Sequence, residues 1–138
     1  MTQFNLETTN KLTVQSYKSG EINIALSGSP EISESPDAIR SMTNSFILTP
    51  SQIISDWHYQ EVTDLTHESF DPLIEQQPEL VLLGTGENLC FPNQQALQSF
   101  HKAGIGVEVM NTASACRTFN VLVSENRHVI AGFLMLKM

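Results

Sequence analysis

The sequence predicts an α/β domain in which strands and helices alternate over the second half of the chain. Residues 80–83 are continuously apolar, as a central parallel strand is when both faces of its sheet are covered. This strand runs into the glycine turn Gly84-Thr85-Gly86, and a second strand is predicted over 105–110. The apolar segment 129–136 completes the order strand, helix, strand, helix, strand, which implies right-handed crossovers and helices packed on the sheet.

The first half is predicted to begin with a β-hairpin. Apolar and polar residues alternate over 12–17 and 21–26, and Lys18, Ser19 and Gly20 have the chemistry of the connecting turn. Residues 27–42, rich in Ser, Pro and acidic residues, are predicted to form an exposed acidic loop.

A short strand is predicted over 45–48, and Trp57 in the next extended segment is expected to pack on the core. Ser69 is predicted to cap a short helix that ends before Pro78, because Ser is a favoured N-cap and Pro cannot continue a helix.

Two longer helices are predicted to cross between the strands of the second half. The first opens at Pro92 and ends at Gly104, which suits a left-handed C-terminal cap. The second is capped by Asn111 or Thr112. The predicted buried stripe of the first helix consists of Ala96, Leu97, Phe100 and Ala103.

Length and charge limit the class of protein. A chain of 138 residues is predicted to be a single domain spanning 1–138. The net charge of −8 is uneven, with 13 acidic and 3 basic residues in 1–87 but 2 acidic and 4 basic residues in 88–138. A nucleic-acid partner is therefore not expected, because binding phosphates requires a basic face. The acidic half favours solubility and could meet a basic partner.

Targeting signals and cysteines suggest a compartment. The sequence contains no run of 18 apolar residues, so no membrane span is predicted. Residues 1–12 resemble neither a secretory signal nor a transit peptide. Two cysteines do not make a disulfide framework. We therefore predict a reduced, cytoplasmic protein.

The strongest candidate surface lies at the carboxyl edge of the predicted sheet, where ligands of such folds usually bind. This edge gathers residues 84–87 and the 111–117 turn. The glycine turn is not a dinucleotide fingerprint, since Leu89 occupies the third glycine position, and it is not a Walker loop. A purely structural turn, a small-anion cradle and a partner-contact loop all remain open.

Arg117 lies near a predicted helix start, where the helix dipole disfavours a cation. One interpretation is a salt bridge to Glu87 or Glu108. The other is contact with an anion or with a carboxylate of a partner.

Cys116 lies near the same helix start, where the pKa of a thiol can fall, and Cys90 follows the adjacent strand. The two are interpreted either as core residues or as a redox or nucleophilic pair. No metal site or cofactor is predicted, because the histidines lack metal-ligand spacing. The acids Glu68, Asp71 and Glu75 are interpreted as a solvated helix face. The four histidines are His58, His67, His101 and His128.

Three segments carry a family resemblance: Leu-Leu-Gly-Thr-Gly at 82–86, Gly-Ile-Gly-Val-Glu-Val-Met at 104–110, and Ala-Cys-Arg-Thr-Phe-Asn-Val-Leu at 115–122. They resemble a small uncharacterised α/β family, the Mth938-like or Xcc1710-like domains, whose relatives include a mitochondrial complex I assembly factor. The resemblance implies a three-layer domain with a mixed, mostly parallel central sheet and an antiparallel last strand. It implies no established enzyme activity. The recurrent positions that it marks are Gly84, Thr85, Gly86, Met110, Thr112, Ala115, Cys116, Arg117 and Asn120.

Together these observations predict a non-enzymatic protein-interaction or assembly module of the respiratory-complex or membrane-protein biogenesis type. A protein partner is predicted, and a homodimer is left open. The candidate binding surface comprises the recurrent positions other than Ala115, together with Glu87. The alternative is a small-anion or metabolite-binding protein or enzyme that uses the crevice between 84–87 and 112–117. In it, backbone amides would hold the anion and Arg117 would supply the counter-charge.

Overall fold

Two β-sheets organise the part of the chain that the structure describes. The structure is a computed structural model, and it describes residues 11–26 and 38–135. Within these residues, eight strands form one sheet of three strands and one of five. The strands are β1 (Thr13–Lys18), β2 (Glu21–Ala25), β3 (Ile39–Met42), β4 (Phe46–Leu48), β5 (Ile53–Ile54), β6 (Leu80–Gly84), β7 (Gly106–Met110) and β8 (Val129–Phe133). The helices are α1 (Asp71–Ile74), α2 (Gln94–Lys102) and α3 (Thr112–Ser124), with 3-10 turns at Val62–Asp64 and His67–Phe70.

The three-stranded sheet has the antiparallel order β1-β2-β3 and confirms the predicted hairpin. The loop predicted over 27–42 is wrong at its end, because residues 39–42 form β3. Their backbone pairs with β2, where Met42 lies opposite Ile22, and Met42 is buried. Residues 27–37 of that predicted loop lie outside the described residues.

The five-stranded sheet has the order β5-β4-β8-β6-β7 and confirms a mixed, partly parallel α/β sheet. Strand β6 is parallel to both β7 and β8, since α2 and α3 carry the chain back to the same end of the sheet. The last strand, β8, is antiparallel to β4, as the resemblance implies, and parallel to β6. Strand β7 forms one edge, and Glu108 at its centre is exposed.

Each face of the five-stranded sheet covers its own apolar core, which gives the domain three layers. Side chains of β6 alternate between the two cores, and this explains why its sequence is continuously apolar. Helix α3 and the three-stranded sheet cover one face, while α1, α2 and the 3-10 turns cover the other. The first core includes Ile22, Leu82, Phe119 and Phe133, and the second includes Trp57, Val81, Leu83 and Phe100.

The start of the short helix differs from the prediction. Ser69 does not cap α1; its hydroxyl accepts a hydrogen bond from the Thr66 N–H at 2.9 Å, within a capping box of the preceding 3-10 turn. The helical segment therefore begins earlier than the Ser69 signal suggested. Trp57 is buried as expected, and its indole N–H donates to the Ser69 carbonyl at 2.9 Å.

Asparagines cap both longer helices. The Asn93 side chain accepts from the Gln95 N–H at 2.7 Å, so α2 starts after Asn93 and not at Pro92 as predicted. Ala96 and Phe100 are buried as predicted. Ala103 was predicted to be buried but is exposed, because it is the residue at which α2 ends.

Helix α3 is tied to the edge of the three-stranded sheet by one side chain. The Asn120 amide donates to the Val14 carbonyl and accepts from the Val14 N–H, both at 2.8 Å. The amide thus pairs with β1 as a neighbouring strand would. This fixes the position of the hairpin relative to α3.

Candidate functional site

The candidate site begins where β6 ends against α3. Gly84 is buried, and a Cβ atom there would lie 3.0 Å from Phe133 Cδ1 and 3.3 Å from Ala115 Cβ. A larger residue would push the strand and helix apart. The glycine therefore allows the first turn of α3 to approach the carboxyl end of β6.

Thr85 holds the turn that follows the strand. Its backbone N–H donates to the Met110 carbonyl at 3.0 Å, and its hydroxyl donates to the Asn88 carbonyl at 2.8 Å. The same hydroxyl accepts from the Cys90 N–H at 3.2 Å. Because Thr85 is 2% exposed, these bonds form a buried base for residues 86–90.

Gly86 and Thr112 join the turn to α3 by a reciprocal pair of hydrogen bonds. The Gly86 N–H donates to the Thr112 hydroxyl, and the Thr112 N–H donates to the Gly86 carbonyl, each at 2.8 Å. Gly86 has φ of 103°, a conformation that side chains disfavour. The structure thus brings the 84–86 and 112 segments together, as predicted.

This pairing uses several of the backbone amides on which the small-anion hypothesis relies. The N–H groups of Thr85, Gly86 and Thr112 are all hydrogen-bonded within the protein. The cap of α3 uses another, since the Asn111 side chain accepts from the Ser114 N–H at 2.9 Å. The N-cap of α3, which the sequence left open between Asn111 and Thr112, is therefore Asn111.

A cleft of about 480 Å³ opens beside the turn. Its charged lining residues are Glu61 and Glu87, and among the described residues that line it there is no Lys or Arg. Burial raises the pKa of Tyr17, and the nearby Glu87 and Cys116 raise it further, so its phenol stays neutral. The cleft is lined by residues from the hairpin, the 60–63 segment, the loop after β6, the start of α3 and the segment after β8. These residues are Tyr17, Ser19, Gly20, 60–63, 85–88, Cys90, Thr112, Leu134 and Met135.

Arg117 lies outside this cleft lining. Its side chain is exposed, and its guanidinium donates to the Ser114 hydroxyl at 3.3 Å. Within residues 11–26 and 38–135 it forms no salt bridge with Glu87 or Glu108, so that interpretation is wrong. The arginine is thus displayed on α3 and does not supply a counter-charge to the cleft lining.

The two cysteines have opposite environments. Both are free; Cys90 is exposed and Cys116 is buried. Burial raises the pKa of the Cys116 thiol to about 12, and the nearby Arg117 only partly offsets this. The expectation of a lowered pKa at the helix start is therefore wrong, because Cys116 faces the first core. A core role accounts for this residue.

Two more predicted site residues have structural contacts. Met110 is half-buried and packs against the first core, and Asn120 holds Val14 of β1. Tyr17 and Glu61 were not predicted to lie at the site, because they come from distant segments of the chain. Leu89 and Phe91, which are 52% and 67% exposed, were not predicted as contact residues either. Two large apolar residues in a polar loop were the signal that could have identified them.

The described residues contain no group of three His, Cys, Asp or Glu side chains placed to hold a metal. His58 is exposed and pairs with Asp56 at 2.8 Å. Within the same residues, every helix is too short or too polar to cross a bilayer.

A family profile matches residues 14–134, which include β2 to β8, all of β1 except its first residue, and the glycine turn with α3. The chain belongs to this family. It is described as a protein of unknown function (DUF498/DUF598). The match confirms the resemblance seen in the three sequence segments.

Named relatives fall into two groups. The "13 kDa major membrane protein" of Francisella tularensis is 34% identical over 87 residues, covering 60% of this chain and 68% of the relative. The human "NADH dehydrogenase [ubiquinone] 1 alpha subcomplex assembly factor 3" is 38% identical over 82 residues, covering 58% of this chain and 44% of the relative. The similarity thus spans less than half of the human assembly factor.

Solved structures share the fold over most of the chain. A protein from Xanthomonas campestris has a TM-score of 0.74 at 27% identity, covering 90% of this chain and 84% of its own. A Bartonella henselae structure described as an outer membrane protein has a TM-score of 0.73 at 25% identity, covering 94% and 98%. A Bordetella pertussis Mth938-like domain, with a TM-score of 0.66 at 22% identity over 93% and 87%, shows the same fold. The predicted cytoplasmic location stays a prediction.

Proposed function

We propose that this protein is a non-enzymatic interaction module that takes part in assembling a membrane protein complex, of which a respiratory complex is the leading candidate. The names of the assembly-factor relatives support this proposal at moderate identity and partial coverage. The observation that carries it is the loop after β6, which displays Leu89 and Phe91 to solvent.

The loop has the properties of a prepared contact surface. Aromatic residues are enriched at protein interfaces, and an exposed Phe gains by being covered. The base of the loop is already held by the buried Thr85 hydroxyl, which bonds to Asn88 and Cys90. A partner therefore needs to order little additional chain on binding, which limits the entropic cost of association.

The alternative of a small-anion site has less support. The N–H groups of Thr85, Gly86 and Thr112 are bonded within the protein, and the charges lining the cleft are acidic. Both features disfavour an anion. Arg117 remains available for a carboxylate of a protein partner, since its side chain is exposed.

Affinity capture from native lysate of the source organism tests the proposal. We expect the wild type to recover subunits or assembly intermediates of one membrane complex, with recovery strongly reduced by Leu89→Ser/Phe91→Ser. Ile39→Ser is the matched control, because Ile39 is also an exposed apolar residue, 45% exposed, but lies on β3. If the double variant recovers the same proteins as the wild type, or if neither recovers a membrane complex, the proposal fails.

Arg117→Glu provides a second arm in the same capture. We expect it to weaken recovery while the fold is retained, because the side chain is exposed and its one hydrogen bond is to Ser114. Circular dichroism and the urea midpoint verify the fold. Unchanged recovery, or an unfolded variant, would remove Arg117 from the proposed interface.

A further inference from the structure

The cleft beside the turn combines a negative lining with adjacent apolar side chains. Glu61 and Glu87 come from separate segments and both line the cleft, with no described Lys or Arg opposing them there. Lys18, in the neighbouring hairpin turn, is paired with Glu21 at 3.3 Å. Within residues 11–26 and 38–135, no basic side chain is therefore seen to neutralise the carboxylates of the cleft.

The volume and the lining of the cleft suit part of a polypeptide chain. Its volume of about 480 Å³ lies within the range of sites that enclose small ligands or side chains. Val62, Leu134 and Met135 provide apolar lining, and the half-buried Tyr17 ring lies at the same cleft. An aromatic ring next to carboxylates is favourable for a cationic side chain, which gains from both.

The surface continues beyond the cleft. Cys90 lines the cleft, and its two neighbours in the chain are the exposed Leu89 and Phe91. A segment seated with a cation in the cleft would thus have apolar contact area beside it. Charge complementarity selects a basic segment, because an acidic one would meet two carboxylates, and no Lys or Arg is among the described residues that line the cleft.

We propose that this cleft docks a linear segment of a partner protein in which a Lys or Arg lies next to an aliphatic or aromatic residue. The cation occupies the cleft between Glu61 and Glu87, and the apolar neighbour packs on Leu89 and Phe91. The proposal rests on the proposed interaction function and names the chemistry of the partner.

Selection of a random dodecapeptide phage library on the wild-type protein tests this inference. We expect enriched peptides to carry a basic residue with an apolar neighbour. Affinity of the synthesised peptides should fall roughly tenfold for Glu61→Gln/Glu87→Gln, since exposed charge pairs contribute modestly each. Higher salt should weaken binding in the wild type and much less in this variant.

The matched control is Glu68→Gln/Glu75→Gln. It changes the net charge equally, and both residues are exposed and lie outside the cleft lining. This variant should bind as the wild type does. Phe91→Ser should also weaken binding severalfold, and amide shifts on titration should centre on Tyr17, Glu87 and Thr112.

Enrichment of acidic peptides, absence of any enrichment, or equal loss in the two glutamine variants would overturn the inference. The outcome is separable from that of the proposed function. If lysate capture of a membrane complex survives Glu61→Gln/Glu87→Gln, the assembly role stands and the docking site fails. If the wild type captures no complex but selects basic peptides at the cleft, the assembly role fails and the site stands.

Discussion

At the scale of single residues, Thr85 has the largest share in building the site. The sequence pattern predicted that Thr85 lies in a glycine turn. It left open whether this turn is purely structural, binds an anion or contacts a partner. In the structure its hydroxyl is used entirely within the protein, on Asn88 and Cys90. A one-dimensional pattern shows that a turn exists, but it does not show which carbonyls the turn brings to the hydroxyl.

We expect Thr85→Val to lower the free energy of unfolding by about 1–3 kcal/mol, because it removes the hydrogen bonds of the hydroxyl to the backbone of Asn88 and Cys90. Thr85→Ser keeps the hydroxyl and should cost less. Urea denaturation measures both. If Thr85→Val and Thr85→Ser destabilise the protein equally, the hydrogen bonds of the hydroxyl do not stabilise the turn.

Cys116 gives the protein a specific sensitivity to alkali. Its thiol has a pKa of about 12 in the folded protein, against an ordinary value of 9.0. Between these values the unfolded chain has released the proton and the folded protein has kept it, so stability falls as the pH rises. From about pH 8 to pH 10 this amounts to roughly 1.4 kcal/mol.

The measurement compares urea midpoints of the wild type and Cys116→Ala at both pH values. The alanine variant should start less stable but lose less on going to alkaline pH. The raised pKa of Tyr17 adds to the loss above pH 10 in both proteins. Equal losses in the two proteins would contradict the assignment to Cys116.

At the scale of elements, periodicity and turn chemistry predicted the hairpin, β6, β7 and α3 well. These elements follow from local rules: alternation, a continuous apolar run, and an Asn cap. Strand β3 was missed because its residues are mostly exposed, and because it forms by pairing with β2, which lies earlier in the chain. The 3-10 start before α1 was missed because Thr66 and Ser69 act together.

The contact between α3 and β1 shows the same limit. Asn120 was assigned to the binding surface by resemblance, yet its amide is paired with Val14, 106 positions earlier in the chain. No local signal in the sequence connects the two residues. The pairing makes a structural role sufficient for Asn120.

Asn120→Ala should destabilise the protein by about 1–3 kcal/mol, although Ala is the better helix former. Asn120→Asp should not restore stability, since it loses the donor to the Val14 carbonyl. Hydrogen exchange of the Val14 amide should accelerate in Asn120→Ala, whereas Asn120→Asp keeps an oxygen that can accept from this N–H. Val121→Ala, at an exposed position of α3, is the control and should change stability little. Slow exchange at Val14 in Asn120→Ala would refute the tether.

At the scale of the whole molecule, the sequence predicted the α/β class and the edge at which the turn and α3 meet. It did not predict the cleft, because Tyr17, Glu61 and Glu87 belong to three segments that only the packing of two sheets brings together. Arg117 shows the converse, since it is close in sequence to the site but is displayed away from the cleft lining.

The edge strand β7 is the place where two copies of this molecule could pair strand to strand. Glu108 is the middle residue of β7, so two such strands pairing antiparallel about their centres would set Glu108 against Glu108. Glu108→Val would create an uninterrupted Val-Val-Val edge, and we expect it to raise light scattering on prolonged incubation. Glu108→Lys keeps a charge there and should not. If Glu108→Val stays as clear as the wild type, another feature guards the edge. The Glu108 carboxylate thus disfavours pairing of this edge strand with a second copy. It does not disfavour pairing with a different chain that places no acidic residue opposite it.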